Sequence, residues 1–222
     1  TIDFNKKAKD LGVSTELGDT MKEFFYSKWP GALVTFNHIY PDVISTFKLR
    51  NVAGEKDGSK KDFLLLNDNL EENIGFLGLN LYRGLLNDVK TAHIVEGEFD
   101  ALQWYAGQLR NQNVEDIVIP SFGDCYTDLS HLQKFKLTDI RLVTDHPKYM
   151  GSQVAEFILK GSGDKFGFKV YNWPIDHKDP QEFILSEGFP SWANSIKDES
   201  NFSYPHQWLG KRLKDRLESI DS

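Results

Sequence analysis

Three observations on this 222-residue chain predict an α/β fold built on a mostly parallel sheet. From Thr91 onward, short apolar runs alternate with stretches of helical length, the pattern of strand–helix–strand units. Two of those runs, T-A-H-I-V-E-G and D-I-R-L-V-T-D, end on carboxylates at Glu96 and Asp145. Strand ends of this kind face the ligand crevice in an open α/β sheet. The chain also has no run of about 18 apolar residues and no signal peptide, so a soluble intracellular, cytoplasmic protein without a membrane partner is expected.

Taken in order, residues 1–30 place Leu17, Met21, Phe24 and Phe25 at the spacing of a short packed helix, ended by Trp29-Pro30-Gly31. Residues 32–52 are rich in Val, Ile, Thr, Phe and Tyr and break at Tyr40-Pro41-Asp42, which predicts a hairpin. The stretch 51–62, with Gly54, Gly58 and clustered Lys and Asp, reads as a charged exposed loop. Residues 67–73 form an acidic polar link to the apolar stretch 74–82.

The α/β core then follows as a strand to Glu96, a helix from about Asp100 to Arg110, a strand over 116–121 and a helix around 129–135. A strand over 139–145, a helix over 151–160 and a strand over 166–173 complete it. Leu102, Tyr105, Ala106 and Leu109 fall at i, i+3, i+4 and i+7, which predicts one buried stripe. Phe166, Phe168, Tyr171 and Trp173 alternate as strand faces do, and core packing is assigned to them ahead of base stacking. Residues 189–222 carry no strand signal, and 208–220 reads as an amphipathic helix.

A net charge of −7 argues against an indiscriminate nucleic-acid coat protein, because nonspecific affinity comes from phosphate neutralisation by Lys and Arg. A localised basic face is still compatible with it. One cysteine, Cys125, excludes an internal disulfide framework, and six scattered His without Cys-x-x-Cys exclude a zinc ribbon within these residues. No P-loop string occurs, so no nucleotide-driven motor lies in this stretch. Gly97, lacking a Cβ, admits backbone or phosphate closely. Taken singly, Asp100 also suits a helix cap and Asp145 a turn; Lys178-Asp179-Pro180 downstream favours a functional cluster.

V-E-G-E-F-D-A-L, residues 95–102, resembles the first signature of the Toprim domain of DnaG-type primases and phage primase-helicases. I-V-I-P-S-F-G-D, residues 117–124, is similar to the second. The third, an apolar strand followed by Asp-x-Asp and a small-residue helix start, is matched in part by residues 142–151. Pro147 stands where the second acid would, and Gly151 falls one residue late. His177-Lys178-Asp179-Pro180-Gln181 is similar to the Lys-Asp-Pro-Asp segment after the last core strand, with Gln181 where some members carry an acid. Residues 45–50, 60–63 and 74–82 resemble the smaller amino-terminal subdomain of the primase catalytic fragment, so the likeness covers roughly residues 35 to 190.

The resemblance implies a Toprim-like, mostly parallel sheet flanked by helices over residues 89–188. It also implies a smaller α+β amino-terminal subdomain over 1–88 and a carboxyl-terminal helical extension or linker over 189–222. The implied chemistry is synthesis of short RNA primers from ribonucleoside triphosphates on single-stranded DNA, beside a replicative helicase. Mg²⁺ or Mn²⁺ would be held by Glu96, Asp145 and Asp179; Mg²⁺ is a hard cation that prefers oxygen ligands. Glu96 would be the acid nearest the reacting 3′-hydroxyl and its general base, with Asp100 in outer support. Lys48, Arg50, Lys60, Lys61 and Gly97 would face template or triphosphate, although the four cations equally suit a solvated hairpin and loop. His146 and His177 are read as polar neighbours of the acids. The acid lost at Pro147 keeps an alternative open: an inactive module that binds nucleic acid or a helicase partner.

Overall fold

The computed structural model describes the strands between residues 33 and 77 by their backbone pairing. It then describes Tyr82 and residues 88–112, 114–121, 129, 132–133, 135–149, 151–162 and 167–220. The chain divides into two compact units, Thr1–Arg83 and Gly84–Ser222. The helix expected within residues 1–30 and the loop carrying Lys60 and Lys61 lie outside the described residues.

In the first unit, β1 (Leu33–Tyr40), β2 (Val43–Arg50), β3 (Asp62–Leu66) and β4 (Phe76–Leu77) form an antiparallel sheet in the order β3-β2-β1-β4. β1 and β2 are the expected hairpin. Their pairing runs from Leu33 opposite Arg50 to Tyr40 opposite Val43; the Pro41-Asp42 break between them lies outside the described residues.

The second unit is a five-stranded sheet in the order β6-β5-β7-β8-β9, parallel except at β9. Its strands are β5 (Thr91–Val95), β6 (Ile117–Pro120), β7 (Asp139–Val143), β8 (Phe168–Tyr171) and β9 (Phe202–Ser203). Helices α1 (Glu98–Arg110) and α2 (Gly151–Ser162) make the crossovers after β5 and β7. Then come α3 (Pro180–Glu187), α4 (Phe189–Lys197) and α5 (Pro205–Ile220). The central strands are largely apolar, interrupted within by His93 of β5 and Arg141 of β7, because helices cover both faces of a parallel sheet: Ala92, Ile94, Val95, Ile117, Ile119, Leu142 and Val143 are all fully buried.

Four expectations change. The first turn of α1 starts at Glu98, with Gly97 at the N-cap and Asp100 already inside the helix. The buried side of α1 is Ala101, Trp104 and Gln108, whereas Leu102 and Leu109 are exposed. Trp104 anchors this orientation: its ring packs edge-on to fully buried Trp192 of α4 at 4.9 Å, a geometry that aromatic pairs favour. Around Leu129–Phe135, among the described residues, the amides of Leu132 and Phe135 donate three residues back, to Leu129 and Leu132, the spacing of tight turns where an α-helix was expected. Finally, Phe202–Ser203 adds an antiparallel edge strand where no strand was expected. Trp192 of α4 sits at the centre of the core, against Trp104, Tyr171, Trp173 and Phe183.

Candidate active site

β5 and β7 are parallel neighbours, with Val95 opposite Val143. The chain leaves β5 toward β6 on one side and leaves β7 toward β8 on the other. The carboxyl ends of β5 and β7 therefore flank the point where the winding reverses, which opens a crevice in sheets of this kind. Glu96 follows one strand and Asp145 closely follows the other. Glu96 Oε1 accepts a hydrogen bond from the Asp145 amide at 2.9 Å, so the two acids occupy one sheet edge.

Asp100 and Asp179 join them. Asp100 accepts from the Gly97 amide through Oδ2 at 3.1 Å and from the Gln181 amide through Oδ1 at 3.2 Å, tying the start of α1 to the start of α3. Asp179 is the N-cap of α3, its Oδ1 accepting from Glu182 N at 2.8 Å. A Cβ at Gly97 would stand 2.6 Å from Asp100 Oδ2, so glycine is required there by the approach of that carboxylate. At Gly151 a Cβ would collide with the Asp145 carbonyl, which explains the small residue at the start of α2. Asp100 thus stands in the first turn of α1 and beside the start of α3.

Lys178 connects the group, although no local pattern marks it for that role. Its Nζ lies 2.9 Å from Asp179 Oδ2 and 3.6 Å from Asp145 Oδ2. The carbonyl of Lys178 also accepts from the His146 amide at 2.7 Å, which fixes the α3 approach against the β7 end. Only tertiary contact reveals this, because Lys178 lies 33 residues beyond Asp145 in the chain.

Burial and mutual repulsion hold Glu96, Asp100 and Asp145 above their usual range. The Glu96 carboxyl is pushed up to about 7, first by burial and then by the neighbouring Asp145. Asp100 also rises to about 7, by burial and then by Asp179 and Asp145. Asp145 rises to about 6 through burial, opposed by Lys178. The Lys178 ammonium is itself held charged by its hydrogen bond to Asp179.

The remaining candidates are placed elsewhere. Lys48 and Arg50 stand two residues apart on β2 of the first unit; Lys60 and Lys61 lie outside the described residues. Pro147 opens an exposed 3₁₀ turn over Pro147–Tyr149. His146 Nδ1 accepts from Lys148 N at 3.2 Å, while His177 faces Glu187 at 3.6 Å and packs on Phe183.

The donor chemistry of the cluster fits a hard divalent cation: the side chains are oxygen donors, partly buried, and short of positive charge. Among the described residues no three His, Cys, Asp or Glu side chains form a ready ligand set. Mg²⁺ does not need such a cage, since one or two carboxylates with water and substrate phosphates satisfy it. Glu96 and Asp145 match that requirement, with Asp179 beside them through Lys178.

No family model matches the sequence, and no curated protein sequence matches it. Solved structures with the same fold do. The Escherichia coli primase catalytic core superposes with a TM-score of 0.67 at 14% identity, covering 94% of this chain and 67% of that one. A DNA primase domain from Pseudomonas aeruginosa gives 0.63 at 14% identity, covering 82% of this chain and 55% of that one. A DnaG primase catalytic domain bound to single-stranded DNA gives 0.60 at 13% identity, covering 87% of this chain and 62% of that one. This chain therefore spans between just over half and two thirds of these structures' lengths. The shared fold is a primase-like α/β core, and among the described residues no helix is long and apolar enough to cross a membrane.

Proposed function

We propose that this chain carries out primase-type nucleotidyl transfer, joining ribonucleotides into short primers on a single-stranded DNA template with Mg²⁺ or Mn²⁺. The observation that carries this reading is the meeting of Glu96 and Asp145 at the winding-reversal crevice of a primase-like fold. A bound divalent cation would supply charge neutralisation and alignment of the triphosphate. Glu96 and Asp145 would hold it, with Asp179 beside them, and Glu96 would accept the 3′-hydroxyl proton. Asp100 acts as a positioning residue, because it locks the α1 and α3 starts into one arrangement. Lys178, half exposed, supplies a mobile positive charge that can follow the incoming phosphates. Lys48, Arg50, Lys60 and Lys61 remain candidates for template contact, and a replicative helicase for the partner.

A second reading has its own observation. Lys178 already neutralises Asp145 and Asp179, and Pro147 supplies no carboxylate, so the acid edge is satisfied in part without metal. In that reading the chain binds nucleic acid or a helicase without synthesis. A primer-synthesis assay with Mg²⁺ or Mn²⁺, ribonucleotides and a single-stranded template separates the two. Short products that vanish in Glu96→Gln and Asp145→Asn, with folding retained, support the enzyme; Pro147→Asp should raise their yield. An inert protein under every condition, unchanged by Pro147→Asp, replaces the enzyme with the binding module.

A further inference from the structure

Beside the acid edge, and outside it, lies a second recess of about 170 Å³ lined by His146, Pro147, Tyr171, Trp173, Trp208 and Arg212, with Asn172 and Lys211 at its border. The lining combines aromatic surface with two cations and no acid, against a chain whose net charge is −7. Trp173 is held in place by donating Nε1–H to the Thr144 carbonyl at 3.0 Å and by near-parallel packing on Trp192 at 5.9 Å. Trp208 is almost wholly buried, and the Arg212 guanidinium lies 5.6 Å above its ring. Among the described residues Arg212 meets Glu156 at 3.5 Å, and its buried Nε has no hydrogen-bond partner there. An unmade bond at a buried donor costs free energy that an anion drawing the guanidinium inward would relieve. Lys211 is exposed and forms no ion pair among the described residues.

We infer that this recess binds a nucleobase with its attached phosphate, the base against Trp173 and the phosphate on Lys211 and Arg212. Rigid aromatic rings flanked by cations suit any base, because every base has a π-face and every linkage a charge. The volume is below that of a pocket for a whole drug-sized ligand, which fits one base and excludes a complete enclosed nucleoside triphosphate. His146 and Pro147 follow Asp145 directly, so a strand seated here would pass next to the crevice. The inference deepens the nucleic-acid part of the proposed function and needs no metal.

The test is therefore run in EDTA, with the full chain, on two probes: fluorescein-labelled oligo(dT) followed by anisotropy, and ATP followed by calorimetry. Lys211→Glu and Arg212→Gln should each weaken binding and make the plot of log K against log salt shallower by about 0.7 for each lost phosphate contact. Trp173→Leu, which keeps apolar bulk, should weaken it about 5- to 150-fold, the range for losing one stacked base. Loss on oligo(dT) assigns the site to a polynucleotide strand; loss on ATP alone assigns it to a free nucleotide. Binding of neither probe by the unaltered chain, or binding unchanged in Lys211→Glu and Trp173→Leu with melting temperatures preserved, overturns the inference. Failure of primer synthesis with this binding intact would count against the proposed enzyme and leave the recess standing.

Discussion

At Lys178 one ammonium stands 2.9 Å from Asp179 Oδ2 and 3.6 Å from Asp145 Oδ2, so it competes with any divalent cation for the same oxygens. Lys178→Ala should lower the melting temperature of the metal-free protein, and Mn²⁺ should then raise it by more than in the unaltered chain, since a ligand that binds only the folded state stabilises it. Equal Mn²⁺ shifts in the two proteins would remove Lys178 from the site. The neighbouring acids add a pH effect. An unfolded chain releases the protons of Glu96 and Asp100 near pH 4, while the folded chain holds them to about 7. Across that window the unfolded state binds fewer protons, so these two groups lower stability as pH rises. Melting curves in EDTA should show a decline between about pH 4 and 7 that is smaller in Glu96→Gln and Asp100→Asn. Asp179 also caps α3, a structural contribution separable from its charge. Asp179→Ala should cost about 1 kcal/mol by denaturant titration as that cap is lost, and Asp179→Asn, itself a good cap, much less. Primer synthesis falling equally in both would mark the charge as the functional part. Glu96 and Asp145 were legible in the sequence because each terminates an apolar strand, a local pattern. The role of Lys178 was not, because it depends on which strand end α3 is folded against.

The helices after β8 show the same division between local pattern and tertiary context. The strands β5 and β7 could be read from the sequence, since a parallel sheet favours mainly apolar runs and each carries a single polar residue inside it, His93 and Arg141. The buried side of α1 could not, because Leu102 and Leu109 offer as regular a stripe as Ala101, Trp104 and Gln108, and packing of Trp104 on Trp192 and His93 selects the second. A two-residue strand such as β9 has no period to detect. It is held by context: Arg141 of β7 donates to the Ile196 carbonyl and to Glu199, and its guanidinium covers the Phe202 ring at 4.6 Å. Arg141 thereby fastens α4 and β9 to the sheet. Trp192 supplies the apolar counterpart of that fastening. Trp192→Ala should cost about 3–5 kcal/mol in urea unfolding, the range for deleting a buried aromatic. A loss below about 1 kcal/mol would show that the aromatic cluster is not the core of this unit.

On the scale of the whole chain, the sequence indicated the parallel sheet and the antiparallel hairpin before it, while the order β6-β5-β7-β8-β9 had to come from the structure. Strand order depends on which side each crossover returns, and the sequence of a connection of this length is compatible with either side of its parent strand. That order gives the site its geometry, since it puts the reversal of winding between Glu96 and Asp145. The charge of the whole molecule sets the last expectation. At −7 overall, the chain repels a polyanion at long range, so any hold on single-stranded DNA must come from a few local cations. If Lys48, Arg50, Lys60 and Lys61 each meet one phosphate, the plot of log K against log salt for an oligonucleotide should have a slope of about −3, and affinity should fall steeply across physiological salt. Lys48→Ala with Arg50→Ala should reduce that slope by about 1.4, and the same pair should leave melting temperature nearly unchanged if both cations face solvent. A slope near zero would mean that phosphate contacts do not carry the binding. An unaltered slope in the double variant would instead return Lys48 and Arg50 to the solvated surface and shift the contact to cations of the second unit.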